Sequence, residues 1–454
     1  MIKILRDTVH NFIVLNLPKD ELILRLIDTP EFQRLRRIRQ LGLSSITYHG
    51  AEHSRFPHCL GAMHVATKMI EHLQRQFAGT YPITDRDALL VRVSALLHDL
   101  GHGPFSHVLE EFFSTSLGGA AHEHWTRELI INQDTAVNQI LRSYDQELPR
   151  DVYDLIKGVY SKDGKNYLCQ IVSSQLDADR MDFLMRDPLL AGVKYGTFDL
   201  ERIIYTLWLA HHKASESIVI AVLEKGLHAV EQYVLARHFM YQQVMLHKAT
   251  RGFEKLLQSM LRRARKLHLH QQLAFVPRNL APFFDKDTRP PGLDDFLRLD
   301  DSDILYATKM WRHEKDEILS DLATRLITRK LLKGIVVVGG RKEDPVKQFS
   351  EIAERSKAHL GGERADYYFY IDYASDQPYK YTPYVYTAEE EEGPHTRILV
   401  WKSNPEGCVD IHEMSKAVQS IAETIYKRVI YCPREDQEQI INIIKAVGAS
   451  VVSR

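Results

Sequence analysis

The chain has 454 residues, with 59 Lys and Arg against 60 Asp and Glu, for a formal net charge of −1. That balance excludes a polyionic disordered chain and gives no bulk electrostatic case for coating DNA or an anionic membrane, so any anion site has to be built locally. Hydrophobic residues make up 44% of the chain, enough for a large core, yet no apolar run approaches the ~18 residues of a membrane span.

The opening stretch, MIKILRDTVHNF, leads into no secretory apolar segment. Cys59, Cys169, Cys408 and Cys432 lie apart without CxxC spacing. Both features predict a cytoplasmic protein without disulfides or a zinc knuckle. Ile2 and Ile4, followed by the apolar run Phe12–Leu15, predict a small hairpin at the start. From Leu22 to about Lys266 the pattern is mostly helical. Thr29-Pro30 reads as a cap and first-turn proline, with Phe32, Leu35, Ile38 and Leu41 recurring behind it. An apolar stretch from Leu89 to Leu97 is broken by Gly101, Gly103 and Pro104, after which SHVLEEFF starts a new helix. One interruption, SESIVIAVL from Ser215, reads as a strand. Four prolines between Leu269 and Leu297 (Pro277, Pro282, Pro290 and Pro291) place a boundary there. Beyond it GIVVV, DYYFYIDY, RILVW and RVIYC read as strands, with helices over 345–359 and 435–447. The expected fold is mostly α: a helical core over 1–270 with an N-terminal hairpin, a helical connection over 271–330 and an α+β part over 331–454.

Chemistry concentrates in ALLHDLGHGPFSH. His98 and Asp99 stand where an apolar helix ends, and an imidazole beside a carboxylate suits a divalent first-row metal. His102 follows four residues later. Three further segments supply what such a site lacks: RFPHCLG offers His58, AAHEHW offers His122, Glu123 and His124, and LDADRMDFLMRD offers Asp179 and Asp182 on one helix face. No glycine-rich P-loop is present, so phosphates have to be held by cations.

The order RFPHCLG, HDLGHGPFSH, HEHW, LDADRMDFLMRD resembles the HD-domain phosphohydrolases, with the motif region at about 50–190. The resemblance is strongest to the deoxynucleoside triphosphate triphosphohydrolases and extends to IDTPEFQRLRRIRQLG, ARHFMYQQVMLHK and LDDSDIL. It implies that His58, His98, Asp99 and Asp179 hold one divalent ion (Mg, Mn, Fe, Co, Ni or Zn). It implies His102, His107 and His122 as catalytic histidines, with Glu123 beside the last. Glu110, three residues after His107, can orient that imidazole and raise its pKa for general-acid work. Arg55, Arg180 and Arg237 match triphosphate-clamping positions, with Lys248 expected on the Arg237 helix. Gln40 and Asp187 match residues that read the sugar 3′-hydroxyl. Phe183 and Met245 stand where the family has a Tyr and an aromatic against the sugar, which loosens the expected deoxy preference. Asp28, Gln33 and Arg36 match a guanine-nucleotide activator site at a subunit interface, implying a homotetramer.

The expected function is therefore metal-dependent hydrolysis of a dNTP to deoxynucleoside and inorganic triphosphate. A nucleoside monophosphatase or another HD phosphohydrolase is the alternative within the enzyme class. A cyclic-dinucleotide phosphodiesterase lacks support because no GYP tripeptide occurs, and the HDxxED form of alarmone hydrolases is replaced by HDLGHG. A non-catalytic nucleotide- or nucleic-acid-binding regulator on the same scaffold is the reading from another class.

Overall fold

The computed structural model describes residues 1–105, 108–109, 121–213, 215–338, 345–377, 379, 397–403, 407–422 and 425–452. The N-terminal strands β1 (Ile2–Asp7) and β2 (Asn11–Asn16) pair antiparallel, with Ile4 opposite Val14 and Arg6 opposite Phe12. Alternation sends Ile13 and Leu15 into the core and leaves Phe12 and Val14 in solvent. Asp7 Oδ1 shapes the turn by accepting from the amides of Val9 and His10, both at 2.9 Å.

Thr29 caps a single turn, Pro30–Gln33, as Thr29-Pro30 predicts, with its hydroxyl accepting from Phe32 N at 3.3 Å. The chain then tightens into a 3₁₀ segment, Arg34–Arg37. The three-residue recurrence of Phe32, Leu35 and Ile38 suits that tighter winding, and all three are fully buried. Behind it, the helices Arg55–Phe77 and Asp85–Leu97 pack together, the second entered through a Thr84–Asp87 capping box and buried almost throughout. The helix Ala178–Ala191 lies against Arg55–Phe77, with Asp177 as its N-cap and Gly192 closing it in the left-handed region. These three helices carry the candidate metal ligands.

The strand expected in SESIVIAVL is β4 (Ser217–Leu223), and its partner is β3 (Leu207–His212), which helical patterning had hidden. Two segments of the C-terminal part join this sheet. β4 pairs parallel with β7 (Leu399–Trp401), which pairs antiparallel with β8 (Cys408–Asp410). A second sheet orders β10 (Ser450–Val452), β5 (Lys333–Val338), β9 (Ile425–Cys432) and β6 (Tyr370–Asp376). On β9, Ile430 and Cys432 face a small core shared with the helices Pro345–Leu360 and Gln437–Ala446, while Val429 and Tyr431 join the main core. One strand thus serves two cores, and the C-terminal part is bound to the helical body on both its sheets.

One expectation is corrected here. DYYFYIDY is not all strand: Arg364–Tyr368 is a short helix, and only the chain from Tyr370 enters β6. Buried Tyr368 is held there by its hydroxyl, which donates to Asp321 at 2.6 Å. The proline-rich stretch carries short helices, and Leu280, Phe283, Phe284 and Phe296 in it are fully buried in the main core. Among the described residues no helix is long and apolar enough to cross a membrane.

Candidate metal centre

His98 is the C-cap of the helix Asp85–Leu97, and Asp99 starts the turn that follows. Gly101 sits in that turn against the helix Ala121–Ile131. A Cβ on it would lie 2.2 Å from both His122 O and Thr126 N, so only glycine admits the close approach. The approach stacks the His122 ring on His102, with centroids 4.6 Å apart and planes 4° from parallel. Buried Phe105 follows in the left-handed region at φ 46°, and its amide donates to Asp301 Oδ1 at 3.2 Å. Buried Arg34 donates to His102 O at 2.8 Å and, from two guanidinium nitrogens, to Leu299 O. The flanking motifs IDTPEFQRLRRIRQLG and LDDSDIL therefore brace the HD turn.

Three helices and this turn converge. One ligating atom each from His58, His98 and Asp99 lies within 4.8 Å of the others. Asp179 closes the group, its Oδ1 being 3.0 Å from His58 Nε2 and 3.4 Å from His98 Nε2. The far nitrogens are already committed: His58 Nδ1 to Asp182 Oδ2 and His98 Nδ1 to Ala95 O, each at 2.8 Å. Hydrogens on both Nδ1 atoms leave both Nε2 atoms as the inward-facing donors. Neither buried Nε2 completes a hydrogen bond. Burial opposes ionisation of Asp179, but His58 and His98 outweigh it and hold the carboxyl far below its usual range. Burial likewise opposes Asp99, and Arg55, His98 and His102 outweigh it. Two imidazole nitrogens without a hydrogen-bond partner, set beside the Asp99 and Asp179 carboxylates, fit a divalent first-row cation.

The same groups predict a proton count. Burial works against charge on His58, yet Asp179 and Asp182 raise its pKa to about 10 in the metal-free protein. A ligating imidazole must give up that Nε2 proton. Below about pH 10 metal uptake therefore releases at least one proton, and affinity rises with pH by about tenfold per unit for each proton displaced. Calorimetric Mn²⁺ titration at pH 7, in buffers of different ionisation enthalpy, reads that proton directly. Heats independent of buffer would contradict it.

The candidate centre opens onto a cavity of about 700 Å³, within the usual range for small-molecule sites. Gln40, Arg55, His98, Asp99, His102, His122, Glu123, Asp179, Arg180, Phe183, Asp187 and Met245 all line it. Arg55 gives one nitrogen to Asp99 Oδ2 at 2.5 Å. Arg180 is pinned by Asp177 and Ser174 O. Asp187 holds His53 at 2.9 Å, and Glu123 pairs with Lys157 at 2.7 Å. His107 and Glu110 lie outside the described residues.

Arg237 is placed differently from expectation. It is buried, with its guanidinium 5.4 Å from the Tyr241 ring, and among the described residues Tyr241, not Arg237, lines the cavity. Lys248 is not on the Arg237 helix either. That helix ends at Met240, a π-helical turn spans Tyr241–Met245, and a new helix, Lys248–Leu269, begins under a His247 cap. Sequence reasoning missed Tyr241 and Lys157 as lining residues, although Tyr241 stands four residues after Arg237 on one helical face. Of the activator trio, Gln33 and Arg36 touch (2.7 Å) and Arg36 lies 3.5 Å over the Phe56 ring, while Asp28 is exposed at the end of the helix Glu21–Ile27.

Known proteins resemble this chain. The HD domain model matches residues 55–163 and the HD associated region matches 198–367. The uncharacterised protein YwfO of Bacillus subtilis is 39% identical over 422 residues, 92% of this chain and 89% of that protein. A deoxynucleoside triphosphate triphosphohydrolase, SAMHD1 of Gallus gallus, is 24% identical over 480 residues, 96% of this chain and 73% of its own length. The crystal structure of a phosphohydrolase from Bacteroides thetaiotaomicron superposes with a TM-score of 0.76 at 30% identity, covering 96% of this chain and all of that one.

Proposed function

The chain belongs to the HD-domain phosphohydrolases, and from that premise we propose that it hydrolyses deoxynucleoside triphosphates to deoxynucleoside and inorganic triphosphate at the His58–His98–Asp99–Asp179 centre. The observation that carries this reading is one cavity lined by three of the four candidate metal ligands, with buried His58 behind them, together with Arg55 and Arg180 for phosphate and Gln40 and Asp187 for a sugar hydroxyl. A relative named as a dNTP triphosphohydrolase supports it. With all four cysteines unpaired, a reducing cytoplasm suits the chain.

A divalent ion bound there supplies Lewis acidity toward a phosphate oxygen and lowers the pKa of a coordinated water. The protein's own groups do the rest. Arg55 is fixed by Asp99 and Arg180 by Asp177, so both guanidinium groups meet a phosphate already oriented. Lys157 adds charge at the rim. The stacked His102 and His122 can hold or pass a proton beside the ligands, and His107 with Glu110 is the proposed general-acid pair. Asp187, kept in place by His53, accepts from a sugar hydroxyl, with Gln40 beside it. Phe183 and Met245 offer apolar contact to the sugar, and Tyr241 faces the same space with Arg237 behind it. Product analysis over a dNTP and NTP panel tests the reading. Free triphosphate supports it, orthophosphate makes the enzyme a different phosphohydrolase, and no turnover makes it a binding protein.

The activator site is part of the proposal. Gln33, fixed by its bond to Ile27 O at 2.8 Å, and Arg36, stacked on Phe56, give a base a flat edge with donors, and exposed Asp28 gives an acceptor for guanine N1–H. An activator must bind the assembled form better than the free one. We expect dGTP or GTP to raise dATP or dTTP hydrolysis on the order of tenfold, within the usual range of allosteric coupling, and to increase tetramer content. Asp28→Ala should blunt both effects with metal content unchanged. Sedimentation alongside kinetics decides it: a stable tetramer whose rate ignores guanine nucleotide would defeat the activator site.

A further inference from the structure

Asp182 is surrounded by four donors, three of them on wholly buried side chains and the fourth on His10, whose side chain is 6% exposed. Its Oδ2 accepts from His58 Nδ1 and from Arg186 Nε, both at 2.8 Å. Its Oδ1 accepts from Arg186 Nη2 at 2.9 Å and stands 2.7 Å from His10 Nε2. The other side of the Arg186 guanidinium is held by Asp7, with Nη1 to Oδ2 at 2.9 Å and Nη2 to Oδ1 at 3.2 Å. The side chains of His58, Asp182 and Arg186 are wholly buried, and those of Asp7 and His10 are 4% and 6% exposed. A carboxylate offers about four acceptor sites, so Asp182 is saturated and has no freedom to turn. Gly61, one helical turn after His58, leaves the space: a Cβ there would lie 2.0 Å from Asp182 Oδ1.

We propose that the N-terminal hairpin is a working part of the metal centre, with His10 and Asp7 as positioning residues that hold His58 in its ligating orientation through Asp182 and Arg186. The proposal rests on the reading of His58 as a metal ligand. Asp7 acts twice: one oxygen folds the turn that presents His10, and the carboxylate as a whole anchors Arg186. Asp182, clamped from both sides, fixes the hydrogen on His58 Nδ1 and aims Nε2 at Asp99 and Asp179. A cluster that served stability alone would have no need to end on the far nitrogen of a candidate ligand. Groups in this outer position usually change metal affinity by about 10–100-fold when removed.

The test is Mn²⁺ affinity of the full chain by titration calorimetry, with the visible spectrum of the Co²⁺ form as a report on ligand geometry. His10→Ala is expected to weaken Mn²⁺ binding about 10–100-fold and to alter the Co²⁺ bands. His10→Gln, whose side-chain amide carries a donor at the Nε2 position, is expected to restore both. Wild-type affinity and spectrum in His10→Ala would overturn the proposal, as would failure of His10→Gln to restore them. If His10→Ala does not fold, Asp7→Asn carries the test, since it keeps an oxygen on the turn amides and removes the charge on Arg186; unchanged Mn²⁺ affinity in it would also overturn the proposal. Wild-type protein that takes up no metal would bring down the metal reading itself, an outcome distinct from tight binding that ignores the hairpin.

Discussion

Asp179→Ala is expected to abolish hydrolysis and strip most bound metal while leaving the fold in place. One oxygen of Asp179, Oδ1, approaches both candidate imidazole ligands, at 3.0 and 3.4 Å, whereas Asp99 reaches His98 with Oδ1 at 3.3 Å and His58 with Oδ2 only at 3.8 Å. Asp99 cannot replace it, because Asp99 Oδ2 is already shared with Arg55. The loss of one anionic ligand from a buried two-His, two-Asp set removes charge that the cation needs and leaves the Nε2 atoms facing an alanine methyl. Lewis-acid stabilisation is worth several kcal/mol in a transition state, so turnover should fall by at least about 10³-fold. The fold should survive, since Asp179 follows the Asp177 cap and its side chain faces the cavity, not the core. Metal analysis of the purified variant beside its rate makes the test. Stoichiometric metal with normal activity would remove Asp179 from the centre, and normal metal with lost activity would move it from ligand to substrate contact.

The candidate centre was legible where chemistry and local periodicity coincide. His98 and Asp99 announce themselves at the end of an apolar helix, and Asp179 and Asp182 share a face by their three-residue spacing. That spacing does not reveal that the two carboxylates take opposite nitrogens of one imidazole, Asp179 near Nε2 and Asp182 at Nδ1. The position of His58 between them is a tertiary fact. So is the reach of His10 to Asp182, which no local pattern encodes. The hairpin itself was legible from two short apolar stretches separated by polar residues, while β3 was not. Leu207, Leu209 and Ala210 are buried against the body, and what makes them a strand is pairing with β4. The helix after Gly362 was misread because Tyr and Phe favour strands on average, whereas here Tyr367 and Tyr368 pack their rings sideways into the core. ARHFMYQQVMLHK carries no proline or glycine, so nothing in its sequence marks an end to the Arg237 helix before Lys248. The π-helical turn at Tyr241–Met245 breaks the helix nonetheless, and Tyr241 and Met245 both face the cavity. Such turns occur often at functional sites.

Gly101→Ala is the change expected to disable the centre without touching a ligand. The residue is not in the left-handed region, so the alanine backbone itself fits, and the penalty is purely one of space. The new Cβ would meet His122 O and Thr126 N at 2.2 Å and Thr126 Oγ1 at 2.4 Å. Two of those atoms are backbone of the helix Ala121–Ile131, so no rotamer relieves the clash and the helix must retreat. Retreat breaks the bond from Gly101 N to Thr126 Oγ1, now 3.1 Å, and separates His122 from the His102 ring. Overpacking of this kind costs about 1–3 kcal/mol of stability. A displacement near 1 Å at a preorganised site costs about 10²-fold in rate, and here it falls on the segment that carries Asp99 two residues away. Thr126→Ala in the same chain removes only one of the three clashing atoms and is not expected to rescue. Thermal melting, metal content and kcat of Gly101→Ala, alone and with Thr126→Ala, separate the two costs. A folded Gly101→Ala protein at the wild-type rate would show that the close approach of this helix is not required, and with it the case for His122 acting beside His102 would fall.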